Sequence, residues 1–229
     1  LTLTDLPRPG TPAAGPMERM QDFRDATYYP IREFWRSGGM PYDPQRMFEH
    51  WPVIQEFDLY LPAHLLIHSP LAVPDYRTGA ALMLGLNGAL VVLLARWAMV
   101  WARARAGLPA TAWAWAWPWL AAALLFGQVG KAQLYLGQIN PLVALGTAGA
   151  LGWRNRPVLA AVCLAISWLK PQFGLPLTLL LLVTGRRRTA LLGTAVAAVA
   201  SLPVVAVLVG RAGGFRPFLD VVRRNLAYA

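Results

Sequence analysis

Asp22 and Asp25 stand three residues apart in the stretch Met20-Gln21-Asp22-Phe23-Arg24-Asp25-Ala26-Thr27-Tyr28-Tyr29-Pro30. On a helix that spacing puts both carboxylates on one face. A carboxylate held where water meets membrane can act as a general base, taking the proton of an alcohol as its oxygen attacks. The plainer reading is a solvated acidic turn, partly neutralised by Arg24. A second group is Leu136-Gly137-Gln138-Ile139-Asn140-Pro141. Its glycine admits close backbone approach to a ligand, and Gln138 and Asn140 offer amide donors and acceptors. Helix entry, with Asn140 as cap and Pro141 in the first turn, accounts for the same residues. A third is Lys170-Pro171-Gln172. A lysine in apolar surroundings suits an anionic group such as a phosphate, with snorkelling to the interface as the alternative. Lys131 carries the same reading more weakly.

Other candidates carry less. His64 and His68 have the i,i+4 spacing of a metal pair, but the prolines around them and the lack of an acidic third ligand favour polar packing. The Trp113-Ala-Trp115-Ala-Trp117-Pro-Trp119 run reads as an interfacial aromatic belt. No glycine-rich phosphate loop, nucleophile elbow or dinucleotide fingerprint is present, so no cofactor is expected, and the N-terminal segment lacks a clear metal triad, so no metal is expected.

The elements that must position these residues follow from how charge is distributed. Of the chain's 11 carboxylates all but Asp220 precede Tyr76, and none occurs from Tyr76 to Leu219. Hydrocarbon imposes roughly 2.5–3.5 kcal/mol on an ionised side chain by insertion scales, so this segregation predicts an acid-bearing, water-facing segment followed by a membrane domain. With 56% apolar residues, 14% charge and a mean hydropathy of +0.42, the chain falls outside the soluble globular class. Its net charge of +10 comes from arginines at the edges of apolar runs, a pattern that membrane topology explains and nucleic-acid binding does not. The single Cys163 excludes a disulfide framework and reads as a buried bystander.

Residues 1–20, with four prolines, read as an irregular linker. Phe23, Tyr28, Ile31, Phe34 and Trp35 predict a helical stripe ending at Gly38-Gly39, and Met40 to Pro44 a turn. Phe57 to Val73, cut by prolines, predicts an interfacial or re-entrant helix. Six apolar runs follow, at 78–101, 109–126, 135–153, 157–169, 172–185 and 189–210. Several are shorter than the ~20 residues of a straight span. Arg103 and Arg105, Arg154 and Arg156, and Arg186 to Arg188 occupy alternate connections and so share one side, the cytoplasmic one by the positive-inside rule. Residues 1–75, the Gly127–Asn140 connection, Lys170 and the tail from Arg211 then fall outside, bringing both lysines to the side of the carboxylates. The expected organisation is an external acidic loop with juxtamembrane helices (1–75), an all-α polytopic bundle of about six transmembrane or re-entrant helices (76–210), and the start of a further external loop (211–229). With no methionine at Leu1 and no obvious tail after Ala229, the chain reads as a fragment of a longer membrane protein.

These residues in this order resemble a known pattern. Asp-Phe followed by Tyr28-Tyr29-Pro30, then Gly38-Gly39-Met40-Pro41-Tyr42-Asp43-Pro44, Leu59-Tyr60-Leu61-Pro62, Gly137-Gln138-Ile139-Asn140 and Lys170-Pro171 resemble the polytopic glycosyltransferases of the C superfamily, specifically glycosyltransferase family 87, also called domain of unknown function 2029. Polyprenyl-phosphomannose-dependent mannosyltransferases of the cell envelope belong to that family. The resemblance implies a mannose-like sugar arriving as a polyprenyl-phosphate ester, and an external-loop aspartate that deprotonates a lipid or glycan acceptor hydroxyl. Attack inverts the anomeric carbon and lipid phosphate leaves. It further implies Asp22 or Asp25 as the base, Asp22 fitting the Asp-Phe start and Asp25 the distance to Tyr28 and Tyr29. Lys170, with Lys131, would steady the departing phosphate, and Gln138 and Asn140 would line the cavity. A transporter or flippase is the competing reading, since short broken helices also suit one; the acids of this chain lie outside the apolar runs, where a transporter would carry them inside.

Overall fold

The computed structural model describes residues 20–55, 60–109, 111 and 113–228. The linker expected before Met20 and the Phe57 start of the predicted juxtamembrane helix lie outside the described residues. Among the described residues every regular element is helical. Two compact units form: one gathers the chain up to Met83 together with the segment from Ala198, the other runs from Leu84 to Ala197.

In the first unit, α1 (Gln21–Phe23) runs through a π-helical turn, Arg24–Tyr28, into α2 (Tyr29–Trp35). Phe23, Tyr28, Ile31 and Phe34 are at most 2% exposed and form the buried face of this segment, whereas Trp35, the last residue of the predicted stripe, is 54% exposed. It ends where Gly38 takes a positive φ of 65°. Next comes α3 (Pro44–His50), with Asp43 as cap accepting from the Arg46 amide and Pro44 in the first turn. The stretch expected to form one juxtamembrane helix gives two short ones, α4 (Ala63–Ile67) and α5 (Ser69–Ala72), because Pro70 enters the second directly after the first. The carbonyls that α5 leaves open are taken up by α2: Arg32 donates to Ala72 and Pro74, and Arg36 to Val73.

Two of the six apolar runs become helices long and apolar enough to cross a membrane: α6 (Tyr76–Arg105), of 30 residues, and α12 (Arg187–Arg211), of 25. At about 1.5 Å per residue both exceed the ~30 Å hydrocarbon core. The other runs give shorter helices. The second reaches only α7 (Ala116–Phe126), since the tryptophan run ahead of it forms turns in which Trp113 has a φ of 53°. The third gives α9 (Asn140–Gly152), while the stretch expected as the connection before it forms a helix of its own, α8 (Gln128–Leu136); α10 (Pro157–Ser167) and α11 (Pro171–Val183) follow. Trp113, Trp115 and Trp119 are exposed, as an interfacial belt requires.

The second unit has its core where α9, α10, α11 and the start of α12 meet: Ala150, Leu164, Leu177, Leu181 and Ala190, with Cys163, Trp168 and Leu182 against them. Cys163 is half-buried here and not the fully buried residue expected. On its buried side the Cys163 sulfur meets Gly149, where a Cβ would stand 2.5 Å away, so small residues bring α9 and α10 together there. In the first unit, α12 closes on the N-terminal segment: Arg211 donates to the carbonyls of Phe34 and Gly39 and lies over the Phe34 ring. Then α13 (Phe215–Tyr228) buries Phe218, Val221 and Asn225 along one face, with Phe218 edge-on to Tyr42.

Candidate functional site

The π-helical turn separates the two aspartates that helical spacing would have placed alike. A π turn widens the helix by one residue and is found mostly at functional positions. Asp25 lies at its start and is fully buried; the Arg24 Nε donates to Oδ1 at 2.6 Å and Nη2 to Oδ2 at 3.1 Å. The backbone N–H groups of Ile54 and Gln55 add bonds to Oδ2 at 3.0 and 3.2 Å. Burial pushes the Asp25 carboxyl up, against the pull of Arg24 and the two amides. The expected solvated acidic turn is therefore a buried ion pair that fastens the chain after α3 to the π turn.

Asp22 differs. It is half-buried, and its Oδ1 accepts from the Gln55 side-chain amide at 3.0 Å. Gln55 in turn takes a bond from Gln21. The same short segment thus holds both carboxylates, one through its backbone and one through a side chain.

Tyr28 and Tyr29 sit in an aromatic cluster with Phe23, Trp51 and Tyr76. Tyr28 packs edge-on against Tyr29 and Tyr76 with ring centroids 5.2 and 5.0 Å apart, and Arg32 covers its face at 4.6 Å. Its hydroxyl donates to the Pro74 carbonyl. Tyr29 lies 4.9 Å from Trp51. His64 and His68 are buried with their rings 4.3 Å apart, and the Thr27 hydroxyl meets His64 Nε2 at 3.2 Å. Among the described residues no three His, Cys, Asp or Glu side chains gather as a metal site would need.

In the second unit, Gly137 ends α8 in the left-handed region, φ 70°, and lets the chain turn into α9. Asn140 is the first residue of α9 and not its cap; Ile139 holds that place, so the Asn140 side chain is available for other partners. It donates to the side-chain oxygens of Gln133, at 2.8 Å, and Gln138. Asn87, from α6, donates to the Gln138 carbonyl at 2.9 Å. Three buried polar atoms of this cluster have no partner: Asn87 Oδ1, Gln133 Nε2 and Asn140 Oδ1. Carboxamides so placed can bind hydroxyls or phosphate oxygens. A cavity of about 410 Å³ adjoins Gln133 and Asn140, its wall mostly apolar (Val91, Leu94, Leu124, Val129) with these two and Gln128 as the polar part.

Lys170 is buried at the start of α11, where snorkelling would have exposed it. Lys131 lies exposed on α8. Sequence reasoning missed Asn87 and Gln133. The signal was there for Asn87, as a polar side chain well inside a run of apolar ones.

Among the described residues the chain is all-helical, and its two apolar helices of spanning length suggest association with a membrane. More narrowly, the chain belongs to glycosyltransferase family 87, whose model matches residues 59–228. It is therefore a glycosyltransferase, with a sugar donor and an acceptor as substrates, and family membership weighs against the transporter reading. The matched range holds Lys131, Gln138, Asn140 and Lys170, and the two aspartates precede it. No curated protein and no solved structure matches the chain.

Proposed function

We propose that this chain carries the membrane core of an inverting hexosyltransferase. It moves a mannose-like sugar from a polyprenyl-phosphate donor to the hydroxyl of a lipid or glycan acceptor. Asp22 is the general base. Its carboxylate takes the acceptor's proton, the freed oxygen pair bonds to the anomeric carbon, and the bond from that carbon to the phosphate oxygen breaks with its electrons on the lipid phosphate. Lys170 and Lys131 are the proposed cations for that phosphate, and Gln138 and Asn140 the amides for donor hydroxyls. Tyr28 and Tyr29 bound the aromatic side of the base. Residues 1–75 form an external catalytic loop, 76–210 a multi-pass domain of the C-superfamily type, and 211–229 open the next external loop.

One observation carries the choice of base. Asp25 is fully buried and engaged by Arg24 and two backbone amides, whereas Asp22 is half-buried and accepts from the Gln55 side-chain amide. A base must exchange its proton with a substrate and with solvent, which the environment of Asp22 supports and that of Asp25 opposes. The mostly apolar cavity with three carboxamides, Gln128, Gln133 and Asn140, supports a donor that joins an isoprenoid chain to a polar head.

The test compares Asp22→Asn with Asp25→Asn in the full-length protein, reading sugar transfer from a polyprenyl-phosphate donor beside thermal unfolding. Asp22→Asn should lower turnover by about 10²–10⁴-fold with the unfolding temperature unchanged. Asp25→Asn should lower the unfolding temperature first. Full turnover in Asp22→Asn would refute the assignment of the base. A nucleotide sugar serving as donor in place of the lipid-linked one would refute the substrate class. Lys170→Ala should raise KM for the donor, and an unchanged KM would remove that lysine from the site.

A further inference from the structure

A second concavity lies within the Leu84–Ala197 unit, among the arginine-bearing connections and separate in sequence from the residues assigned above. Its volume is about 980 Å³, and Trp97, Trp101, Arg105, Arg154, Leu180 and Arg186 line it. The three arginines come from three different connections: Arg105 ends α6, Arg154 sits between α9 and α10, and Arg186 between α11 and α12. Positive-inside topology needs arginine somewhere in each connection, but it does not need one from each to face a single hollow. Arg103, Arg156, Arg187 and Arg188 serve that purpose without lining the cavity.

Nothing within the unit neutralises these charges. No carboxylate occurs between Tyr76 and Leu219, so no side-chain ion pair is available from its own residues. What contacts the arginines do make are weak ones. Arg105 lies over the Trp101 ring at 4.9 Å, and the Arg186 Nη1 donates to the Leu151 carbonyl at 3.3 Å. The Arg186 Nη2 is closed off from solvent with no partner. Burial and the charge of Arg154 together pull the Arg186 guanidinium below its ordinary pKa. Three like charges around a hollow, one with an unmet donor, are stabilised when an anion enters.

The rest of the lining says which kind of anion. Trp97 and Trp101 are stacked, with centroids 6.2 Å apart and an interplanar angle of 15°, and they stand with Arg105 at i, i+4 and i+8 on one face of α6. With Leu180 they give the hollow an apolar wall. Its volume is that of a drug-sized ligand pocket, far more than free phosphate fills. Guanidinium forks match phosphate oxygens two at a time, and basic pockets between membrane helices on the arginine-rich side take anionic head groups. We infer that this concavity is a binding site for the phosphate head group of an anionic membrane lipid, held by Arg105, Arg154 and Arg186 with its glycerol and upper acyl carbons along Trp97, Trp101 and Leu180.

Native mass spectrometry of the full-length protein, released from detergent with phosphatidylglycerol or phosphatidylcholine, tests this. The wild type should retain one phosphatidylglycerol about tenfold in preference to phosphatidylcholine, the preference that a single well-made charge-assisted contact confers. The triple variant Arg105→Gln, Arg154→Gln, Arg186→Gln should lose the preference. A control set, Arg156→Gln, Arg187→Gln, Arg188→Gln, removes as much charge from the same end and should keep it. If the triple variant does not fold, Arg154→Gln alone, exposed and in a turn, should still weaken the preference severalfold. Equal retention of the two lipids by the wild type, or equal loss in the control set, would overturn the inference. So would thermal protection by millimolar inorganic phosphate alone matching that by phosphatidylglycerol, which would assign the hollow to a free anion.

Discussion

The two units bury polarity in opposite ways. In the first, charges go inside in pairs: Asp25 with Arg24, and Glu33 with Arg46 and the Trp51 indole N–H, both carboxylates wholly out of solvent. In the second, which has no carboxylate at all, buried polarity is carried by amides and hydroxyls, with Lys170 as the buried cation. The Trp168 indole donates to the Thr178 hydroxyl, Thr147 meets Ser167, and three carboxamide atoms are left open. Burying a charge costs several kcal/mol of desolvation that a close, hydrogen-bonded partner offsets, and the carboxylates of the first unit supply such partners. The second unit has no acid to pair with, so most of its buried polarity is carried by neutral groups that bond locally. The difference places fold specificity in ion pairs in one unit and in close helix contact in the other.

If that contrast is right, the largest stability effect should come from breaking a pair in the first unit. Asp25→Ala leaves the Arg24 guanidinium, 6% exposed, without its carboxylate and frees the amides of Ile54 and Gln55. The expected cost is about 3–5 kcal/mol, read from chemical or thermal unfolding in detergent. A cost under about 1 kcal/mol, the level of an exposed pair, would mean that the pair is not the anchor of this unit.

A pH titration reaches the same unit by another route. Burial pushes His68 down to about 4 from 6.5, so as pH falls the unfolded chain takes the proton first. Stability from this group is therefore level above about pH 6.5 and declines as pH falls from there toward 4, by up to about 3 kcal/mol in all. His68→Gln should flatten that part of the stability profile. A profile of the same slope in the variant would move the effect to another group.

How much of this was legible beforehand follows the same division. The charge segregation, the helical stripe of Phe23, Tyr28, Ile31 and Phe34, and the two long apolar helices were readable, because each rests on a repeated pattern over many residues. The separation of Asp22 from Asp25 was not. It depends on one extra residue in a π turn and on backbone amides some thirty positions later, and neither leaves a local signature. The split of the Phe57–Val73 stretch was marked by Pro70, yet its length suggested one helix. The amide cluster was half visible: Gln138 and Asn140 stood in a motif, while Asn87 and Gln133 reach it only through the packing of α6 and α8.

In the second unit the contact to break is that of α9 with α10. Gly149→Val adds two methyl groups where even a Cβ would come within 2.5 Å of the Cys163 sulfur. Overpacking of this kind costs about 1–3 kcal/mol, less than the ion pair, and should appear as a lower unfolding temperature with sugar transfer retained in the folded fraction. Cys163→Ala in the same background should recover part of the loss, since it removes the atom that is struck. A double variant as unstable as the sum of the single ones would refute close packing as the cause.

The smallest effect, and the sharpest on the contrast, is Asn87→Leu. The Asn87 side chain is 1% exposed, donates once to the Gln138 carbonyl and leaves its own oxygen unpartnered. Leucine removes the donor but also removes the unmet acceptor, and it fits the apolar face of α6. The two terms are of similar size and opposite sign, so stability should change by about 1 kcal/mol or less in either direction. Turnover should fall more than stability does if the open carboxamide oxygen receives a substrate hydroxyl, and the loss should appear in KM for the donor. Loss of several kcal/mol would instead show that the second unit, like the first, depends on a buried polar bond for its fold, and the distinction between the two units would not stand.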